Sequence, residues 1–351
     1  MRFSLPSISK LAASAVVLAC LCTSGTVAHA QDQQFTQFNA APTSFNPAYA
    51  GVSGKARLAS LYRAQWTGLP QAFTGFHLAY DRPSLDKRMG FGFLLSNEQA
   101  GAGALNRIQF MGQASHNLRL GHRLNLRTGM QLGFGARSID MTNLVFMDQI
   151  LRDFADVSVE QGLGVGTQYM DMGAGFMLLS RRMWSGASAN HLTSPNVSLN
   201  PALPEQLAVL YTGHGGARIQ LARGPRGRFR RDVVVSWKYM QQGDRNQLDV
   251  GAYYDMNLFT LGVWYRGLPV LTAADGSMDV DALSFVFGFG NRDFKMGYSY
   301  DITLNRLGVL GTSGSHEFSV KYFWDVARRR DPRPPYHLSL IHISEPTRHT
   351  R

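Results

Sequence analysis

From Leu124 to Arg137 the chain alternates almost without a break. Leu124, Leu126, Thr128, Met130, Leu132, Phe134 and Ala136 share one parity, and Asn125, Arg127, Gly129, Gln131, Gly133, Gly135 and Arg137 the other. Period two puts one set on each face of a β-strand. A helix would set Arg127 and Gln131 beside Phe134 and leave no apolar stripe. Fourteen such residues at about 3.3 Å each span about 45 Å, longer than most strands of soluble proteins. A tilted strand crosses hydrocarbon with only about 9–11 residues, so this one can cross a membrane and project beyond it.

The pattern predicts strands over 55–66, 72–81, 89–97, 107–118, 122–137, 170–180, 183–191 and 206–222. Further strands follow over 230–240, 246–256, 258–267, 281–290, 293–302 and 315–325. That makes fourteen, an even number as single-chain bacterial barrels require. Connections after even strands are short, whereas those at 138–169, 192–205, 268–280 and 303–314 are long. This asymmetry fits an outer-membrane barrel with short periplasmic turns and longer outer loops. Trp66, Trp237, Trp264, Tyr265, Tyr322 and Trp324 are expected near strand ends, where aromatic rings suit the membrane interface. The fold expected is therefore all-β, an antiparallel transmembrane β-barrel. A periplasmic β-sandwich is the competing architecture.

The ends are read separately. Residues 1–30 carry Arg2 and Lys10, an apolar stretch Leu11–Leu21, and Ala28-His29-Ala30, the pattern of a cleaved signal peptide. Acylation at Cys20 is the alternative. Both cysteines, Cys20 and Cys22, lie in this segment, so the mature chain has no thiol chemistry. Residues 31–54 form a periplasmic or strand-entry segment and 55–325 the barrel. Residues 326–351 are a tail, of which 339–351 reads as a translated sequencing adapter. The basic residues are scattered apart from Arg223, Arg226, Arg228, Arg230 and Arg231, and export argues against a nucleic-acid partner.

No nucleophile elbow, phosphate-binding loop or metal-ligand spacing appears; Gly162-Leu163-Gly164-Val165-Gly166 has no helix after it. No catalytic, cofactor or metal residue is assigned. The inward parity instead collects charge: Arg57, Arg63, Arg107, Arg127, Arg218, Lys238, Lys295 and Lys321 against Asp249, Asp301 and Glu317. A charge on the lipid face at the midplane costs about 2–4 kcal/mol, so these groups belong in the lumen. The basic excess is the feature favouring an anion-selective porin or small-solute channel.

The segment Asn46-Pro47-Ala48-Tyr49-Ala50-Gly51 resembles the start of the PorP/SprF family of Bacteroidetes outer-membrane proteins. Six further segments follow in the family's order: Leu61–Trp66, Asp171–Gly175, Asn190–Leu192, Gly262–Gly267, Gly297–Asp301 and Gly314-Ser315-His316-Glu317. The resemblance implies a non-enzymatic barrel in outer-membrane lipid. It would be associated with type IX secretion and gliding motility, and would work with other secretion components and cargo such as adhesins. It carries no catalytic residues. The residues themselves leave Tyr49 either at the periplasmic rim or inside the lumen. Asn46-Pro47 favours an extended or turn entry because proline disfavours the helical region in the residue before it.

Overall fold

The computed structural model describes residues 32–69, 72–101, 105–140, 165–200, 203–223, 230–272, 278–304 and 308–326. Outside them lie the expected signal peptide, residues 141–164 of the long central connection with Gly162–Gly164, arginines 226 and 228, and the tail from 327.

Fourteen strands form one closed antiparallel ring. They are β1 (Ala56–Gln65), β2 (Phe73–Pro83), β3 (Met89–Ala100), β4 (Leu105–Arg119), β5 (Asn125–Ile139), β6 (Val165–Leu179) and β7 (Met183–Asn190). β8 (Leu210–Arg223), β9 (Arg230–Gln242), β10 (Arg245–Met256), β11 (Phe259–Thr272), β12 (Met278–Gly290), β13 (Phe294–Thr303) and β14 (Ser315–Trp324) complete it. Closure is made by β1 and β14, in register from Ala56 opposite Trp324 to Gln65 opposite Ser315. Each strand thus satisfies its backbone groups with its neighbours, as hydrocarbon demands.

The alternation sorts side chains as the sequence indicates. Met130, Leu132 and Phe134 on β5, Phe285, Phe287 and Phe289 on β12, and Met296 on β13 point outward and are exposed. Among the described residues no helix is long and apolar enough to cross a membrane; the lipid-facing surface is this band of strand residues. Tyr80, Tyr322 and Trp324 stack at the short-turn end, with ring centroids 5.8 Å and 5.5 Å apart along the chain of contacts.

Three details depart from the sequence expectation. Trp264 does not sit in an aromatic girdle. β11 continues to Thr272 and β9 to Gln242, so Tyr265 and Trp237 also fall mid-strand; Trp264 is on the parity of Arg266 and packs inside on Tyr253 and Phe38. β8 begins at Leu210 rather than 206, because 206–207 turn aside to pair with 195–196 in an outer hairpin. One connection after an odd strand is tight. Gly243 (φ 57°) and Asp244 join β9 to β10, the backbone that short hairpins favour.

A ring of about eight strands is just filled by its own inward side chains. Fourteen leave a wider interior, and residues 32–54 occupy it. Phe38, Phe45, Ala48, Tyr49 and Val52 form one core cluster with wall residues Met177, Leu179, Trp184, Val234, Tyr253, Trp264 and Val286. Phe35, Ala40 and Ala41 form a second with Ala59, Leu61, Ala79, Leu94 and Met111. Contacts to strands all round the ring can be made only from within it.

Candidate functional site

The NPAYAG turn lies inside the barrel and is held by its own chemistry. Asn46 is extended (φ −143°), its side-chain oxygen accepts from Ala48 N at 2.9 Å, and Pro47 opens a single 3-10 turn, Pro47–Tyr49. This is a cap and a proline at the first helical position, each satisfying or removing an orphan N–H. Gly51 (φ +70°) then reverses the chain, and a Cβ there would lie 2.9 Å from Arg82 O and from the Cα atoms of Pro83 and Gly90. Only glycine fits both restrictions.

The polar groups of this turn that are not bonded within it meet the wall. Asn46 Nδ2 donates to Phe176 O at 3.2 Å and Ala187 O at 3.3 Å, and lies 2.9 Å from His214 Nε2. His214 Nδ1 is 3.1 Å from the Tyr49 hydroxyl. If Nε2 accepts from Asn46, the neutral ring carries its proton on Nδ1 and donates it to Tyr49. Ser188 and Asn190 donate to Phe45 O at 2.6 and 3.1 Å. Arg127 reaches Ala48 O at 3.0 Å and Ala50 O at 2.5 Å.

Further along the lumen lies a charged network. Arg63 Nη1 is 2.7 Å from Asp301 and 3.1 Å from Glu317. Arg266 lies 3.6 Å from Asp301 and 3.3 Å from Asp249, which Lys238 approaches at 3.1 Å. The segment locks into this network. Thr36 N and Gln37 N donate to the Glu317 carboxylate at 2.8 and 2.7 Å. Thr36 Oγ1 accepts from Arg63 and Arg266 at 3.1 and 2.8 Å and donates to Asp301. Lys238 Nζ sits 4.3 Å above the Phe38 ring, a cation–π contact.

Near the long-connection end Asp32 bridges Arg107 and His191, each at 2.6 Å, while Glu98 takes the other side of Arg107 at 2.7 Å and Asp171 the other ring nitrogen of His191 at 2.6 Å. Burial alone would push the Asp32 carboxyl up and the His191 imidazole down. The opposite charges outweigh it, holding Asp32 well below the usual carboxylate range and His191 protonated up to about 10.

Of the lumen residues named from the sequence, Arg57, Arg63, Arg127, Lys238, Asp249, Lys295, Asp301, Glu317 and Lys321 are buried. Arg107 and Arg218 are each 12% exposed. Arg57 pairs with Asp81 at 2.7 Å; Lys295 and Lys321 face each other across the β13–β14 register, away from the network above. Gly314 makes the turn into β14 with φ +69°, and His316 is paired outside with Tyr298 at 2.8 Å.

The expected excess of eight basic to three acidic groups is corrected. Among described residues, buried arginines and lysines number seven and buried aspartates and glutamates seven, with His191 an added cation. Asp81, Asp171, Asp232 and Asp255 lie on inward parities the sequence reading left uncounted, and Arg266 joins the basic set. Parity alone could have found Asp81, two residues from inward Ala79 and four from inward His77.

The seven segments that carried the family resemblance thus converge on the chain inside the lumen. Asn46–Gly51 is the inserted turn; Arg63, Asp171, Asn190, Trp264, Asp301 and Glu317, one from each of the others, touch the 32–54 segment or its immediate partners. A family model, the type IX secretion system membrane protein PorP/SprF, matches residues 27–322. The chain belongs to the PorP/SprF family. Membership places this barrel among the membrane proteins of the type IX secretion system. No curated protein sequence matches the chain.

Among solved structures, the Pseudomonas putida toluene transporter TodX is similar at 11% identity, with TM-score 0.46, over 80% of this chain and 93% of that one. The CymD monoaromatic hydrocarbon channel follows at 12% identity, TM-score 0.43, over 82% and 93%. A Pseudomonas aeruginosa FadL homologue stands at 12% identity, TM-score 0.40, over 80% and 93%. Likenesses this distant carry nothing about solute or cargo.

Proposed function

We propose that this PorP/SprF protein is a closed, non-enzymatic outer-membrane barrel that supports export or surface attachment of cargo proteins by the type IX system. One observation carries the reading: the family segments are spent on seating residues 32–54 in the lumen rather than on lining a passage. A porin needs an open path and a net field to select ions. Here the lumen is occupied and its buried charges come close to balance, which supports a closed barrel over a small-solute channel.

The surface for cargo would lie at the long-connection end. One described part of it is the hairpin of residues 191–200 and 203–209, which Arg137 holds by Val197 O at 3.1 Å and Glu205 at 2.8 Å, over a cluster of Tyr169, Val197 and Leu207. The acidic and apolar stretch 142–160 lies outside the described residues.

Gene deletion is the test. We expect a defined subset of proteins to disappear from the cell surface and culture fluid, with small-solute uptake unchanged. Normal secretion and display with lost uptake of a solute would replace this reading by the porin.

A further inference from the structure

The 32–54 segment has a direction, and it is the reverse of what a chain entering β1 from the periplasm would first suggest. β1 starts at the short-turn end. Lys55, just before it, pairs with Asp293 in the β12–β13 turn at 3.0 Å, and Gly51 packs against Pro83 and Gly90 beside the β2–β3 turn. Going backwards along the chain, Ala48 meets Arg127, and Thr36 and Gln37 meet Glu317.

Asp32 then reaches the opposite end. Its backbone N–H donates to Gln242, the last residue of β9, at 3.0 Å. Its carboxylate binds Arg107, two residues into β4 from the β3–β4 connection, and His191, the first residue after β7. All three mark the long-connection end. The segment therefore runs the length of the lumen. Beside Asp32–Phe38 a cavity of about 80 Å³ remains.

We infer that the barrel is threaded: the processed amino end emerges at the mouth formed by the long connections, which in bacterial barrels faces the cell exterior. The amino end is then a surface element beside the hairpin of residues 191–200 and 203–209. A partner outside the cell that engages it holds chain continuous with the NPAYAG turn at the far end of the lumen. The inference rests on the barrel's orientation and not on the secretion role, so a failure of either leaves the other standing.

Both cysteines lie within residues 1–30, so a Cys20→Ser, Cys22→Ser background has no thiol to label. In it, Gln31→Cys is expected to react with a membrane-impermeant maleimide on intact cells as fully as on permeabilised ones. Gly121→Cys, on the open β4–β5 turn, should react only after permeabilisation. The two sites reacting from the same side would overturn threading. An epitope inserted between Ala30 and Gln31 gives an independent reading if the thiol is shielded locally. Antibody binding to intact cells supports the inference, and binding only after permeabilisation contradicts it.

Discussion

Replacing Arg63 by methionine is expected to lower the barrel's stability by about 3–5 kcal/mol, the usual effect of removing one partner from a buried ion pair. The side chain is 2% exposed and holds Asp301 and Glu317, which in turn hold Thr36 and Gln37. Without it two carboxylates face each other inside the lumen, and the acids that hold Thr36 and Gln37 lose their shared partner. The readout is the temperature at which the folded, fast-migrating gel band converts to the unfolded one. Lys55→Ala is the control. Its partners Asp293 and Asp325 are 59% and 73% exposed, and such pairs contribute about 0–1 kcal/mol. Equal shifts for the two variants would mean that the buried network does not carry the stability assigned to it.

Gly129→Val is expected to unseat the NPAYAG turn. A Cβ at Gly129 would fall 2.3 Å from Ala48 N and 2.5 Å from Pro47 C. These are backbone atoms, which cannot swing aside as a side chain can. Overpacking typically costs about 1–3 kcal/mol, and this contact belongs at the upper end. Because the wall is paired independently of the segment, the barrel should still form. The expected phenotype is a folded barrel with intermittent ion conductance and a protease-sensitive amino-terminal segment. Gly112→Ala, with Leu132 O 3.6 Å away as the one near atom, should behave as the parent does. A Gly129→Val protein as closed and protease-resistant as the parent would contradict the tight seat described for Ala48.

The wall was legible because a strand's period is local. Lys295, Gly297, Ser299 and Asp301 against Phe294, Met296, Tyr298 and Tyr300 state both faces of β13 without reference to any other residue. Strand ends were less legible, since pairing decides them. β6 begins at Val165, ahead of the clear alternation, because β5 pairs with it as far as Ile139. The segment in the lumen could not be read in the same way. Phe35, Phe38, Phe45, Tyr49 and Val52 fall three, seven, four and three residues apart, a spacing that suggests a helix, yet the segment makes only two 3-10 turns, and its neighbours are supplied by strands from all round the ring. Asn46, Pro47 and Gly51 announced a turn, but their partners, His214 and Arg127, lie far along the chain. The charge balance failed for a related reason. Asp81 follows from parity once β2 is read, but the roles of Asp81 and Asp171 appear only beside Arg57 and His191.

Conductance of the purified parent protein in planar lipid bilayers tests the closed barrel most directly. With residues 32–54 seated through two core clusters and hydrogen-bonded from Asp32 to Gly51, the account predicts no steady current in salt gradients of either sign. A stable open conductance in the parent, with the segment still protected from protease, would contradict it.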